Sequence, residues 1–281
     1  MTRLRLATFN VFSGRSLADG RTDPDRLAEA VAGLGADVLA VQEVDRHQPR
    51  SGGTDQAGLV AHAAGAVDGR FVASVDGTPG VPGWHPAAPT PVPLVTAGGS
   101  PDGGRDGGAQ PPPTYGVALV SRLPVLAWHV LALRPPRGRY PIPVPSRPPR
   151  LLWIPDEPRA AVAAVLAGPD GRPLLTVAGT HLSFVPGANV LQLRRLARWL
   201  RTLPGPHVLL GDLNLPGGLP ARITGWTPLV TGPTYPGPSP RTQIDHVLAA
   251  DLPSGTTHEG RVVRLPLSDH RAVTVDLTLP G

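Results

Sequence analysis

The chain has 281 residues, 41% hydrophobic and 4% aromatic, with a formal net charge of +5. No apolar run approaches the roughly 20 residues that span a bilayer, so no transmembrane helix is expected. The absence of cysteine excludes disulfides, thiolate zinc sites and cysteine nucleophiles, which leaves oxygen and imidazole as the ligands for any metal.

All 26 basic residues are arginine, and 37 prolines and 34 glycines accompany them. That pattern points first to a GC-rich coding bias; the positive charge favours an anionic partner without establishing nucleic-acid binding. The N-terminus enters a strand-like alternation at once, with no apolar leader before a cleavage site, so a cytoplasmic location is expected.

In chain order, Leu4 to Phe9 alternates as a strand and ends at Asn10. Asp23-Pro24 is a helix start, with a capping side chain and proline in the first turn, and Leu27, Ala30, Val31 and Leu34 share a face before Gly35. Val38 to Val41 reads as a buried strand delivering Gln42-Glu43. A second helix is expected from Thr54 or Asp55, carrying Leu59 and Ala63. Strands follow at 71–75, 116–121, 127–133, 160–166 and 174–179, the last delivering Thr180-His181. The spacing of Val190, Leu193, Leu196, Ala197 and Leu200 predicts an amphipathic helix over 189–203. The apolar run Val208-Leu209-Leu210 then delivers Gly211-Asp212-Leu213-Asn214, and strands at 244–249, 261–265 and 272–277 complete the chain.

Two stretches break the pattern. Residues 79–113 are rich in Gly, Pro and Asp without periodicity and read as a flexible insertion. Residues 134–158 read as a proline-rich loop carrying Arg134, Arg137, Arg139, Arg147 and Arg150, either a phosphate-facing rim or a solvated surface. Neither is flanked by independent cores, so residues 1–281 are read as a single domain.

Almost all of the polar residues of interest share one position, the end of an apolar strand. Asn10, Glu43, His181, Asp212, Asn214, Asp245, Asp269 and His270 are distant in sequence but would meet along one sheet edge, where α/β proteins build sites. Each has a plain structural role open to it: Asn10 as a turn cap, Glu43 paired with Arg46, His181 as a buried imidazole. Asp212 and Asn214 stand two apart on an extended segment and point the same way.

Phosphoester hydrolysis gives this inventory a purpose. It needs an oxygen-ligated cation, a carboxylate to activate water and donors for developing charge. Glu43 and Asp269 suit Mg²⁺, Asp212 suits water activation, and Asn10, Asn214 and His181 suit donation to phosphate oxygens. His270 needs a carboxylate to hold its imidazolium, and Asp245 is available. A serine hydrolase using Ser183 or Ser268 is disfavoured, because no G-x-S-x-G elbow exists.

The ordered blocks Ala7-Thr8-Phe9-Asn10-Val11, Val41-Gln42-Glu43-Val44-Asp45, Gly116 to Arg122, Thr180-His181-Leu182, Gly211 to Asn214, Gln243-Ile244-Asp245-His246 and Ser268-Asp269-His270 resemble the endonuclease/exonuclease/phosphatase superfamily nearly end to end. The resemblance implies a four-layer α/β sandwich, two packed mixed sheets flanked by helices, and hydrolysis of phosphodiesters or phosphomonoesters dependent on Mg²⁺, sometimes Mn²⁺. It implies metal-side roles for Asn10, Glu43 and Asp269. For Asp212 it implies water activation, for Asn214 transition-state binding, and for His181 and His270 phosphate contact, with Asp245 orienting His270. Arg159 resembles an arginine that some branches place near the phosphate; a surface salt bridge is its plain alternative.

Phe12 stands where the abasic-site branch has an aspartate, which weakens a repair-endonuclease assignment. Val44-Asp45-Arg46 with Arg50-Ser51-Gly52 and Asp55-Gln56 resembles a bacterial group that includes sphingomyelinase-like members. No aromatic-rich membrane-contacting hairpin is expected, and few aromatics are available to stack bases. Nucleic acid, phospholipid and small phosphorylated molecules all stay open as substrates, and no obligate protein partner is inferred. The alternative is a catalytically inactive phosphate-binding or partner-docking module on the same fold.

Overall fold

The computed structural model describes residues 1–95, 111–144 and 150–280. In chain order its elements are β1 (Thr2–Asn10), α1 (Pro24–Leu34), β2 (Val38–Arg46), α2 (Gln56–Ala63), β3 (Asp68–Asp76), the short β4 (His85–Pro86) and β5 (Pro91–Pro93), β6 (Thr114–Ser121) and β7 (Val125–Leu133). They continue with β8 (Arg139–Val144), β9 (Arg150–Pro155), β10 (Arg159–Ala167), β11 (Pro173–His181), α3 (Ala188–Leu200), β12 (His207–Asp212) and α4 (Leu219–Thr224). The short β13 (Thr227–Pro228), β14 (Asp245–Ala250), β15 (Thr257–Val263) and β16 (Ala272–Leu279) close the chain.

One sheet runs β15-β16-β1-β2-β6-β3-β4, with β5 also on β3, and a second runs β13-β14-β12-β11-β10-β7. β1 and β2 are parallel, joined through α1, and β11 and β12 are parallel, joined through α3. The flanking strands β16, β10 and β14 run antiparallel to these pairs. α1 begins as its sequence predicts, with the Asp23 carboxylate accepting from the N–H groups of Asp25 and Arg26, and it ends at Gly35 in the left-handed region. A cap of that kind stabilises a helix by about 1 kcal/mol.

Alternation along the strands divides the apolar side chains among three cores. Leu6, Val38 and Leu119 of the first sheet pack against Val162, Val177, Val208 and Leu210 of the second. On the outer face of the first sheet, Phe9, Leu39 and Phe71 pack with Leu27, Val31 and Leu34 of α1 and Val60 of α2. Ala163, Leu209 and Leu248 of the second sheet meet Leu193, Leu196 and Leu200 of α3. Burying each such Leu, Val or Phe contributes about 1.5–3 kcal/mol, so the layers helix–sheet–sheet–helix are fixed by the side-chain period of the strands. No helix among the described residues is long and apolar enough to cross a membrane.

Three expectations are corrected. Where residues 134–158 read as a loop, β8 and β9 pair as an antiparallel hairpin that exposes Leu151, Leu152 and Trp153. Pro141 and Pro143 stand two apart in β8, on one side of an edge strand, where a missing N–H need not break the ladder. Within 79–113, β4 and β5 pair with β3; residues 96–110 of that insertion, and Arg147 of the arginine-rich stretch, lie outside the described residues. β15 also starts four residues before the expected 261, because an exposed edge strand needs no apolar alternation to make its ladder.

Candidate active site

Strand direction gathers the polar residues at one end of the sandwich. The C-terminal ends of β1 and β2 bring Asn10 and Glu43 together, and antiparallel β16 places its leading residues Asp269 and His270 at the same edge. In the second sheet His181 at the end of β11 pairs in register with Asp212 at the end of β12, which pairs with Asp245 at the start of β14. Parity puts Asn10 on the face of Leu4 and Leu6, Asp212 on that of Val208 and Leu210, and Asp245 on that of Val247, all facing the other sheet. The apolar inter-sheet core thus gives way to a polar floor at this edge.

Glu43 reaches the site through a β-bulge. The β2–β6 register shifts between Val41 and Val44, and Glu43 has φ 58°; the extra residue re-aims its side chain. Phe12, Ser13, Asn214 and Ser268 also have positive φ, between 49° and 72°. Backbone strain of this kind gathers at functional sites. Gly211 carries the opposite constraint, since a Cβ there would lie 2.1 Å from the Thr180 carbonyl oxygen, so only glycine lets β12 approach β11 just before Asp212.

Asn10 is the hub. Its amide nitrogen donates to Glu43 Oε1 at 2.9 Å and to Asp212 Oδ2 at 3.1 Å, while its Oδ1 accepts from the Phe12 N–H at 3.1 Å. It therefore caps a turn and bridges the two sheets at once. Asp212 Oδ1 accepts from the Asn214 N–H at 3.0 Å, and Asn214 Nδ2 donates to the Leu182 carbonyl at 3.0 Å. Arg159 donates to His181 Nδ1 at 3.1 Å and to Asp156 Oδ1 at 3.0 Å. Arginine only donates, so His181 Nδ1 accepts there, while His181 Nε2 lies 3.2 Å from the Asn214 amide nitrogen and 3.4 Å from Asp212 Oδ2. Buried Arg159 is therefore no surface salt bridge, and Arg46 pairs with Asp55 at 2.7 Å, away from Glu43.

His270 Nδ1 contacts Asp245 Oδ2 at 2.9 Å, and the ring of Tyr235 packs against it at 5.0 Å. Its Nε2 lies 3.8 Å from Asp212 Oδ2 and 3.9 Å from Asp269 Oδ1. Burial opposes a charged imidazole here, but Asp245, Asp212 and Asp269 outweigh it and lift His270 to about 10. Burial lifts Asp212 to about 7 against the pull of His270. His181 is held well below the usual histidine range by burial, then by Arg159 and His270, and stays neutral. Burial also raises Glu43 and Asp269, and each is raised further by a neighbouring carboxylate.

Ligand atoms of Asp212, Asp245 and His270 lie within 4.8 Å of one another, close enough to hold a metal ion. This trio differs from the expected metal set of Asn10, Glu43 and Asp269. A metal-binding imidazole must be neutral, whereas His270 sits among carboxylates that favour its charged form, with Nδ1 already engaged by Asp245. By contrast, Asp269 Oδ1 is buried without a hydrogen-bond partner. That orphaned oxygen, with Glu43 nearby in the same cleft, is the donor chemistry a hard divalent cation takes.

Glu43, Arg159, His181, Asp212, Asn214, Asp269 and His270 line a cleft of about 540 Å³, and Asn10 and Asp245 are fully buried in its hydrogen-bond network. Sequence reasoning missed Arg50 as a site residue, held bidentately by buried Asp45 at 2.9 and 2.7 Å, along with Glu157 and Tyr235. Of these only Asp45 and Arg50 stood inside recognisable blocks. Arg134 and Arg137 do not line this cleft; Arg139 lines the hollow that adjoins it and donates to the Trp153 carbonyl oxygen.

A four-layer α/β sandwich with carboxylates, imidazoles and amides gathered at one sheet edge defines an enzyme-type scaffold. The endonuclease/exonuclease/phosphatase family model matches residues 7–270, and the chain belongs to that family, whose members are generally phosphoester hydrolases. No curated protein matches the chain. Among solved structures, it is similar to an endonuclease/exonuclease/phosphatase from Beutenbergia cavernae, with 22% identity and TM-score 0.63, over 100% of this chain and 72% of that one. A Bacteroides thetaiotaomicron family member aligns over 100% and 99% of the two chains at 16% identity and TM-score 0.64. The mannosyl-6-phosphatase Bt3783 of that species aligns over 98% and 100% at 15% identity and TM-score 0.62. At these identities the likeness shows the fold.

Proposed function

We propose that the protein is a metal-assisted phosphoesterase that hydrolyses a phosphodiester or phosphomonoester by in-line attack of an activated water. The observation that carries this reading is the Asn10 amide, which donates to both Glu43 and Asp212 and so sets the proposed metal side at a fixed distance from the proposed base. Glu43 and Asp269, with Asn10 beside them, would hold Mg²⁺ or Mn²⁺, which when bound neutralises phosphate charge and polarises the scissile bond. Asp212 accepts the proton of the attacking water. Asn214 and His181 would donate to a non-bridging oxygen, and Arg159, donating to His181 Nδ1, holds the imidazole with its Nε2 beside the Asn214 amide and Asp212. His270, oriented by Asp245, presents Nε2–H to the phosphate as the ester bond breaks.

The test is hydrolysis of bis(p-nitrophenyl) phosphate and p-nitrophenyl phosphate with Mg²⁺ or Mn²⁺ and with chelator. Turnover should need the metal, and Asp212→Ala and His270→Ala should each lower kcat by about 10²–10⁴. Metal binding without turnover of any ester would instead make the chain a binding module.

A further inference from the structure

The cleft differs in character from floor to rim. Two arginines line it, and both are committed to internal carboxylates: Arg50 to Asp45, and Arg159 to Asp156 at 3.0 Å with Glu157 at 3.8 Å. Glu43, Glu157, Asp212 and Asp269 face the same space. Within the cleft neither arginine is left over for a second phosphate, whereas a polynucleotide groove offers several; Arg15 and Arg21 line a separate hollow that meets the cleft at Phe12, Ser13 and Arg50.

The rim is apolar instead. Leu152 and Ile154 stand two apart in β9, share one face of the hairpin and line the cleft with Pro155, Phe184 and Phe12. The hairpin is tied to this wall by Tyr140, whose ring meets Phe184 edge-on at 6.5 Å and whose hydroxyl donates to the Arg137 carbonyl at 2.8 Å. Beyond Ile154 and Pro155 the cleft continues into an annex of about 270 Å³, walled by Val81, Pro82 and Trp84, with Arg139 at its edge donating to the Trp153 carbonyl, and it shares Gly80, Ile154, Pro155 and Glu157 with the cleft.

We propose that the hairpin and the Val81–Trp84 turn form an apolar subsite, so that the substrate is a phosphoester with an alkyl or aryl group close to its phosphate. This rests on the phosphoesterase reading for what occupies the floor. The phosphate sits over His270 and Asn214, the apolar group lies along Leu152, Ile154 and Phe184, and the annex takes its far end. A lipid and a soluble aliphatic or aromatic ester share this chemistry.

The experiment separates binding from turnover. Methyl, butyl, hexyl and octyl phosphate, each below its micellar concentration, are titrated calorimetrically into the whole protein with and without Mg²⁺. Affinity should rise about two- to four-fold per added methylene until the annex is filled, and Val81→Ser with Ile154→Ser should flatten that rise. Both positions lie on the rim, and an unchanged thermal midpoint shows the variant is folded. Oligothymidylates of increasing length should gain no affinity per phosphate. A flat alkyl series, or oligonucleotide affinity that climbs with length and falls with salt, overturns the subsite. p-Nitrophenyl alkyl phosphodiesters of the same chain lengths give the turnover arm. An affinity slope without turnover sinks the hydrolase reading and leaves the subsite standing; turnover without a slope does the reverse. Dihexanoylphosphatidylcholine as monomers against a longer-chain phosphatidylcholine in vesicles then assigns the source, with faster turnover in vesicles marking a lipid and faster turnover of monomers marking a soluble ester.

Discussion

The β1–α1–β2 and β11–α3–β12 units are built alike, each a parallel pair whose ends open on the same cleft, yet they finish in opposite electrostatic states. The second unit is internally balanced. Both oxygens of Asp212 accept hydrogen bonds, His181 is fixed by Arg159, and neighbouring Asp245 is met by His270. The first unit is not. Among the described residues Glu43 accepts only from the Asn10 amide and, beside it, Asp269 keeps a buried oxygen with no partner. Burial makes an uncompensated carboxylate costly, so one half is complete as a proton-handling surface while the other lacks a positive charge.

That asymmetry is broken most sharply at Asp212. Asp212→Asn keeps the shape and removes the base, and kcat should fall about 10³-fold with the Mg²⁺ concentration for half-maximal activity unchanged. A rise in that concentration would place the metal among Asp212, Asp245 and His270 and erase the division.

Glu43→Gln probes the other half. The half-saturating Mg²⁺ concentration should rise about 10- to 100-fold, with most of kcat recovered at saturating metal. A second readout needs no activity. Removing one of two mutually repelling carboxylates should raise the metal-free unfolding midpoint by about 1–3 °C, and added Mg²⁺ should then stabilise the variant less than the parent. A lower metal-free midpoint would show that Glu43 is compensated by something other than a cation.

How much of this could be read from sequence follows the same physics. Asp212 and His181 are visible because each ends an apolar strand run, Asp245 because it opens one, and Asp23 because capping is local chemistry. The four-layer stacking followed from the family resemblance. Arg50 clamped by Asp45, Tyr235 against His270 and the Arg159–His181 bond were not visible, since each joins segments whose approach only the folded chain decides. The β8–β9 hairpin is not legible in the sequence because proline density masks alternation until the partner strand is known. Asn10 was read as cap or ligand, and its two ends allow both at once.

The finest probe of the comparison is the stitch between the halves of the first sheet's edge. Ser268 Oγ donates to the Asn10 carbonyl at 2.6 Å and accepts from the His270 N–H at 3.0 Å, while its backbone is held at φ 72°. Ser268→Ala loses both bonds and keeps the strain, so it should cost about 1–2 kcal/mol and lower kcat a few-fold by loosening His270. Ser268→Gly loses the same bonds but relieves the strain, so it should recover up to about 1 kcal/mol relative to alanine without recovering kcat. Stability from chemical denaturation and kcat on the same ester would separate the two. If glycine restored kcat as well, His270 would be positioned by backbone conformation and not by the hydroxyl, and Asp245 alone would fix the imidazole.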